Sequence, residues 1–263
     1  MLRRTTIKLI ICLAALCMSS APVMADLMNP NRPWGTSSSL SELQGAFDAI
    51  GSTIDAVDDQ EAYAIFQSMG AGTSTAAYIA TISWGWPDLE FGIYEYGNPD
   101  NKLELFSLSG TSVGDQVVIQ FNEGLNTVRT VNLQTLAIVD QTTYFKEFGF
   151  YAITTTAITP GAPPDTAGPF YSEDSLNAGG YPRFLTYEGK GDMVEVNNMG
   201  MYNDAYHWYI ATEAGTAAGT TWSEDFSDFL VQFESIEPVP APTAILLGIL
   251  GLSAVGIKLR KYA

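Results

Sequence analysis

The residues best placed to do chemistry are the acids of Ser223-Glu224-Asp225-Phe226-Ser227-Asp228. Calcium takes about six to eight hard oxygen ligands at roughly 2.3–2.6 Å, and carboxylates one or two positions apart can supply several of them. Asp225 and Asp228 are the first candidates, with Glu224 beside them and Glu213 as an upstream helper. The competing reading is a polar turn into the last strand, with Asp225 capping backbone N–H groups. On sequence alone both stay open.

Other reactive groups are scarce. His207 is the only histidine, and one imidazole cannot build a histidine-rich zinc site. No Gly-x-Ser-x-Gly elbow offers it a serine partner. Paired carboxylates for glycoside hydrolysis carry no signal in a chain with 29 acids. Trp84-Gly85-Trp86 puts two indoles on one side of a strand, and with Tyr94 and Tyr96 they could stack on a sugar. The competing account makes these four rings core aromatics. Gly70-Ala71-Gly72 precedes a strand and lacks a phosphate-binding lysine, so it is no nucleotide loop. Both cysteines, Cys12 and Cys17, fall in the first 25 residues. Thiolate catalysis, Cys-ligated zinc and iron–sulfur centres are thereby excluded from the rest, which is expected to be non-enzymatic and to hold no disulfide.

Such groups need a scaffold, and the hydrophobic periodicity supplies one. Leu40, Leu43, Phe47, Ile50, Ile54 and Val57 step by three and four, the stripe of a helix that Ser38 or Ser39 caps, with Glu42 completing a capping box. A helical N-terminal element is assigned to 39–69, after a loose leader at 26–38. From Thr73 the period becomes two. Leu89, Phe91 and Ile93 alternate with Glu90, Gly92 and Tyr94, and a turn at 97–101 returns the chain as 102–108. Val117, Ile119 and Phe121 alternate likewise. Further strands are expected at 128–139, 148–155, 182–188, 206–213 and 228–234, with a mobile loop at 158–169. Many short strands between Gly and Pro predict an antiparallel, mainly β sandwich or jelly-roll-like domain with one amphipathic helix. This β-rich body is taken as 70–237.

The two ends read as addresses. Arg3, Arg4 and Lys8, an apolar core at 9–18, and Val23-Met24-Ala25 form a secretory signal cleaved before Asp26. The tail at 238–263 carries Val239-Pro240-Ala241-Pro242, an apolar run at 243–257 and Lys258-Leu259-Arg260-Lys261. Fifteen helical residues span about 22 Å against a hydrocarbon core of about 30 Å. Leu259 and snorkelling basic side chains extend the transmembrane helix to 243–259. The basic end predicts a cytoplasmic C-terminus with the body outside. Between the ends six basic residues face 29 acidic ones, a net charge of −23, which repels nucleic acid and anionic membrane and suits divalent cations or a salt-bathed matrix.

This tail resembles the PEP-CTERM sorting signal, a Pro-rich tetrapeptide, an apolar helix and a basic end. The usual tetrapeptide is Val-Pro-Glu-Pro; here Ala241 stands in place of the Glu. The resemblance implies a partner, an exosortase, which is a membrane-embedded transpeptidase-like enzyme of Gram-negative bacteria that make extracellular polymer. The body resembles the bacterial domain of unknown function numbered 4114. The matching segments are Phe91-Gly92-Ile93-Tyr94, Gly114-Asp115-Gln116-Val117, Phe148-Gly149-Phe150-Tyr151, Phe170-Tyr171-Ser172-Glu173-Asp174-Ser175-Leu176-Asn177 and Asp225-Phe226-Ser227-Asp228-Phe229 with Glu234-Ser235. In that family the acidic stretch reads Asp-x-Asp-Phe/Tyr-Asn-Asp, spaced as a calcium loop. Ser223 and Ser227 depart from it here, and Asp174 is implied as a further ligand. The expectation is an exported, exosortase-sorted cell-surface or matrix protein, structural or adhesive and calcium-tuned, membrane-held and in contact with extracellular polysaccharide. Its alternative is a carbohydrate-binding module using Trp84, Trp86, Tyr94 and Tyr96.

Overall fold

Alternation of large apolar and polar residues builds two antiparallel sheets whose apolar faces meet. The computed structural model describes residues 29, 32–69, 72–80, 89–107, 110–154, 169–196, 199–213, 226 and 228–239. In chain order the elements are α1 (Ser41–Ile50), β1 (Phe66–Ser68), β2 (Thr73–Ala80), β3 (Leu89–Glu95), β4 (Asn98–Ser107), β5 (Gln116–Asn122), β6 (Thr127–Asn132), β7 (Ile138–Thr143), β8 (Glu147–Thr154), β9 (Phe170–Tyr171), β10 (Phe184–Glu188), β11 (Met193–Val196), β12 (Gly200–Asn203), β13 (Trp208–Thr212), β14 (Phe229–Glu234) and β15 (Ile236–Pro238). One sheet runs β15-β1-β8-β3-β4, with β9 also on β8; the other runs β10-β13-β14-β2-β5-β6-β7; β11 and β12 form a separate hairpin. The chain is mainly β, as its periodicity predicts.

Rings from the two sheets interdigitate between them. Phe91 stacks on Phe229 at 5.4 Å, Phe150 meets Phe233 at 5.0 Å, and Phe66 meets Trp208 edge-on at 5.1 Å. Each fully buried side chain of this kind contributes about 1.5–3 kcal/mol, so aromatic packing carries a body without disulfides. The expected strand across 128–139 is instead a hairpin, β6–β7. Asn132 breaks it: its Oδ1 accepts the N–H groups of Gln134 and Thr135 (3.0 and 2.8 Å), and Leu136 closes the turn at φ 59°. The β3–β4 connection turns at Tyr96 and Gly97, Gly97 at φ 78°, and Asn98 pairs with Glu95; residues 99–101 then bulge, and regular pairing resumes at Lys102 opposite Tyr94, where the sequence expects the returning strand.

Helix α1 covers the outer face of β10, β13 and β14, where Leu43, Phe47 and Ile50 pack with Leu185, Tyr187, Tyr209 and Leu230. Phe47 meets Tyr187 and Tyr209 edge-on at 5.1 and 5.6 Å. The helix is shorter than its stripe, because Gly51 adopts φ 83° and turns the chain out. Ile54 stays in the same apolar cluster from the loop beyond, and Val57 packs against it. The expected cap differs as well. No side chain caps the first residue of α1; Thr36 and Ser39 bond each other's N–H one turn earlier, with Thr36 N–H to Ser39 Oγ at 2.8 Å and the reverse at 3.2 Å.

The leader is docked at Asn29 and Arg32. Asn29 N–H donates to the Ala62 carbonyl (2.7 Å), its side chain bonds Ser172 O (2.8 Å) and Asp174 N–H (3.2 Å), and the Arg32 guanidinium reaches Asp174 (3.4 Å) and Phe184 O (2.8 Å). At these two described residues the segment is held by hydrogen bonds and an ion pair. The segment 61–65 that receives it also closes the β10 edge, since Glu61 N–H donates to Thr186 O at 2.8 Å. At the far edge of the same sheet Asp140 accepts the N–H groups of Glu104 (3.0 Å) and Gln141 (2.7 Å), and the Asn101 amide donates to Thr143 O (3.3 Å). Side chains thus take up ladder groups of β7 and bind that edge to β4 of the opposite sheet.

The twin segments Phe91-Gly92-Ile93-Tyr94 and Phe148-Gly149-Phe150-Tyr151 lie side by side in β3 and β8. Their antiparallel register sets Gly92 opposite Tyr151 and Tyr94 opposite Gly149. Phe91, Ile93, Phe148 and Phe150 enter the core between the sheets, while each tyrosine lies across the opposing glycine on the other face. A Cβ on Gly149 would sit 2.5 Å from the Tyr94 ring, and one on Gly92 2.6 Å from the Tyr151 ring and 2.2 Å from the Leu103 carbonyl. Neither glycine can carry a side chain while the rings keep these positions. This reciprocal cover of strand glycines by aromatics restores the packing that glycine lacks.

Candidate functional site

Of the acidic stretch predicted to hold calcium, Asp228 and Phe226 are described; Glu224, Asp225, Ser223 and Ser227 lie outside the described residues. The register Thr212↔Phe229 between β13 and β14 sets Glu213 and Asp228 at the next position, just past the paired strands. Both are nearly closed to solvent, at 3 % and 4 % exposure. Glu213 Oε2 accepts the Phe226 N–H at 3.2 Å, Phe226 having φ 48°, and Glu213 N–H donates to Arg183 O at 2.9 Å. The Arg183 guanidinium, also buried, lies 4.2 Å above the centre of the Phe170 ring. Charged groups of both signs are therefore buried where β10, β13 and β14 end. Among the described residues no group of three or more His, Cys, Asp or Glu side chains is arranged to hold a metal ion.

Asp174 is engaged elsewhere. It pairs with Arg32, and burial raises its carboxyl above the usual carboxylate range while the guanidinium pulls it back. Burial likewise lowers Arg32, with Asp174 opposing. Asp174 therefore holds the leader through its Oδ2.

The aromatic platform divides. Trp84 and Trp86 lie outside the described residues. Tyr94 is fully buried over Gly149, and its hydroxyl donates to Glu173 at 2.6 Å. It has no open face for a sugar, which corrects its assignment to a stacking surface. Tyr96 is half-buried beside Ala64, Ile65 and Val239. His207 is partly buried, its Nδ1 3.2 Å from Ala205 O and its ring 5.5 Å from Tyr202.

Tyrosine–carboxylate pairs among the described residues escaped sequence reasoning: Tyr94 with Glu173, Tyr151 with Glu90, and Tyr209 with Asp204. Fully buried Asp204 also accepts the N–H groups of Gly191 and Asp192 (2.8 and 2.7 Å). Tyr209 in turn accepts from Gln232 (2.9 Å), whose carbonyl takes the Tyr202 hydroxyl. Burial, first of all, drives these phenols upward, Tyr202 to about 12, so they stay protonated donors at ordinary pH. Such closed pairs fix structure. On the outer face of β3 and β4, Glu104 is raised by burial, then by Glu90 and Asp140. Asp58, Asp59, Gln60, Glu61, Glu188, Gly189 and Lys190 line an open depression of about 270 Å³, where burial, Glu188 and Asp59 raise Glu61, and Lys190 pairs with Asp59.

Of the tetrapeptide, only Val239 is described; Pro240, Ala241 and Pro242 are not. Its N–H donates to Ile65 O at 3.0 Å, one step beyond the β15–β1 pairing that ends at Pro238↔Phe66. The expected signal at 1–25, the expected transmembrane helix at 243–259 and the expected loop at 158–169, save for Pro169, also lie outside the described residues. No described helix is long and apolar enough to cross a membrane, which says nothing of the tail. Comparison with protein-family models found no match, and neither curated proteins nor solved structures gave a similar chain.

Proposed function

We propose that the chain is an exported, non-enzymatic cell-surface or matrix protein. Its jelly-roll-like body belongs to the unknown-function type it resembles, and its tail 238–263 is a PEP-CTERM-like sorting signal, membrane-inserted through 243–259 and handled by an exosortase of a Gram-negative host. The supporting observation is where the last described strand ends. It closes at Pro238, and Val239, first residue of the tetrapeptide, makes the hydrogen bond to Ile65 that follows it. The sequence motif of the tail thus begins where this strand pairing ends, which suits a body carried on a sorting tail. The test is fractionation and intact-mass measurement of the chain in a polymer-forming Gram-negative host. Surface-extracted protein lacking the signal and the basic end is expected; full-length cytosolic protein overturns the reading.

The structural and adhesive role of this body includes calcium tuning at Glu213 and Asp228, with Glu224 and Asp225 as the remaining donors. The pairing of two buried acids by the β13–β14 register favours this component. Calcium at about 100-fold over its dissociation constant adds about 2.7 kcal/mol. That amounts to roughly 5–10 °C in a domain of this size. Melting with calcium and then with chelator reads it directly, and superimposed curves remove calcium from the proposal. The carbohydrate-binding alternative is the weaker one because Tyr94, one of its four rings, is enclosed.

A further inference from the structure

Helix α1 lies over β10, β13 and β14, while on β5, β6 and β7 of the same sheet the outward side chains keep contact with solvent. Register sorts these side chains into rows. Ile138, Val131 and Val118 stand opposite one another across the three strands. Gln141, Arg129, Gln120 and Thr73 form the next row, and Thr143, Thr127 and Asn122 the one after it. Neighbouring strands lie about 4.8 Å apart, so the aliphatic row is a strip roughly 10 Å long with amide and hydroxyl groups alongside. Leu133, Leu136 and Val139 extend the exposed aliphatic surface around the β6–β7 turn.

Charge singles this face out. In a body of net charge −23, β5, β6 and β7 carry one acid, Asp140, and it is turned to β4 of the opposite sheet, where it accepts the Glu104 N–H. Arg129 donates through Nε to Gln120 Oε1 at 2.6 Å, which lays the guanidinium across two strands. Among the described residues Arg129 has no ion pair and its two amino groups have no partner; the side chains of Gln116 and Gln141 are likewise uncommitted. An exposed aliphatic patch rimmed by polar groups marks a contact surface. A chain of sugar rings matches both of its features, with apolar C–H faces for the strip and hydroxyls for the amides and the guanidinium. The charge decides the class of chain: a polyanion meets the field of the surrounding acids, and an uncharged polymer does not. We infer that the outer face of β5, β6 and β7 binds a neutral polysaccharide. The assignment deepens the adhesive role proposed above and rests on it, and it needs neither Trp84 nor Trp86.

The test is affinity electrophoresis of the detergent-solubilised full chain in native gels that contain hydroxyethyl cellulose, dextran or galactomannan, each neutral, or the anionic polygalacturonate. Arg129→Gln with Gln141→Ala removes hydrogen-bonding groups from the face, and Ile138→Glu places an acid on the strip without touching Arg129. Met201→Ala, at a position 64 % exposed on the separate β11–β12 hairpin, is the control. Retardation by a neutral polymer that persists in high salt is expected, with affinity falling about tenfold in the double variant and in Ile138→Glu, and unchanged in the control. Melting temperatures read alongside identify any variant that has lost its fold, and the other then carries the result. No retardation by any neutral polymer, retardation by polygalacturonate alone, or retardation that both variants retain overturns the assignment. Retention in both variants with loss in Trp84→Ala/Trp86→Ala moves the ligand to the aromatic alternative. Export is read separately by fractionation, so a correctly sorted protein that ignores every neutral polymer sinks this assignment alone.

Discussion

Gly92 and Gly149 are the positions where one added methyl does most damage on the outer face of β3 and β8. Gly149→Ala must push the Tyr94 ring away and strain its bond to Glu173; Gly92→Ala meets both the Tyr151 ring and the Leu103 carbonyl. Each is expected to destabilise by about 1–3 kcal/mol, Gly92→Ala more because backbone cannot yield as a ring can. A cycle of Gly149→Ala with Tyr94→Ala, read by urea unfolding, should give a coupling of at least about 0.5 kcal/mol. Additive losses would mean that ring and glycine are not in register. Arg32→Ala strands the buried Asp174 carboxylate and is expected to cost about 3–5 kcal/mol; an unchanged denaturant midpoint would refute the docking of the leader. The twin Phe-Gly-x-Tyr segments were visible in the sequence. That they face each other was not, because register depends on which strands become neighbours. Nor could composition couple Arg32 to an acid 142 positions away.

Among the elements, strands were legible wherever one face is core and the other polar, as in β5. Boundaries failed where a single side chain outvoted the pattern: Asn132 cut one expected strand into β6 and β7, and Gly51 ended a helix whose apolar stripe runs on to Val57. Ile54 and Val57 keep helical spacing because they cover the same sheet face from a loop. The candidate calcium site was half legible. Its acids stand out in the sequence, but the partnership of Glu213 with Asp228 arises only from the β13–β14 ladder. The sheet edge offers its own test. Asp140→Ala frees the N–H groups of Glu104 and Gln141 and loosens β7 from β4. Beside exposed Ile138 and Val139, such an edge becomes a pairing template. Concentration-dependent self-association in sedimentation velocity is expected for the variant and not for the parent; a monodisperse variant would show that the edge is protected otherwise.

For the molecule as a whole, charge sets the response to pH. Glu61, Glu104 and Asp174 have carboxyls raised in the folded state, so the fold binds protons more readily than the unfolded chain, and stability rises as pH falls through these values. Asp55 and Asp192 act oppositely. Their carboxyls are lowered chiefly by backbone N–H groups, of Asp58 and Thr53 respectively, and the stability they add is lost as pH falls below the ordinary aspartate value of 3.8. Melting temperature should therefore climb from neutrality into the region just above the ordinary glutamate value of 4.5, then fall under stronger acid. Added salt should narrow the climb by screening the surplus of acids. Glu61→Gln with Glu104→Gln should flatten it; a slope unchanged in that double variant would place the effect in other carboxylates.

The pinning of Asn29 and Val239 to neighbouring carbonyls also bears on how the chain could be rewired. Ala62 and Ile65 lie about 10 Å apart in extended backbone, so a Gly/Ser bridge of about ten residues, spanning roughly 17 Å, can join position 239 to position 29. New ends opened at Gly124, in the exposed turn between β5 and β6, would leave every sheet pairing in place. A circular permutant of this kind should melt as one cooperative unit, so that the stability of the body is read without the residues before 29 and after 239.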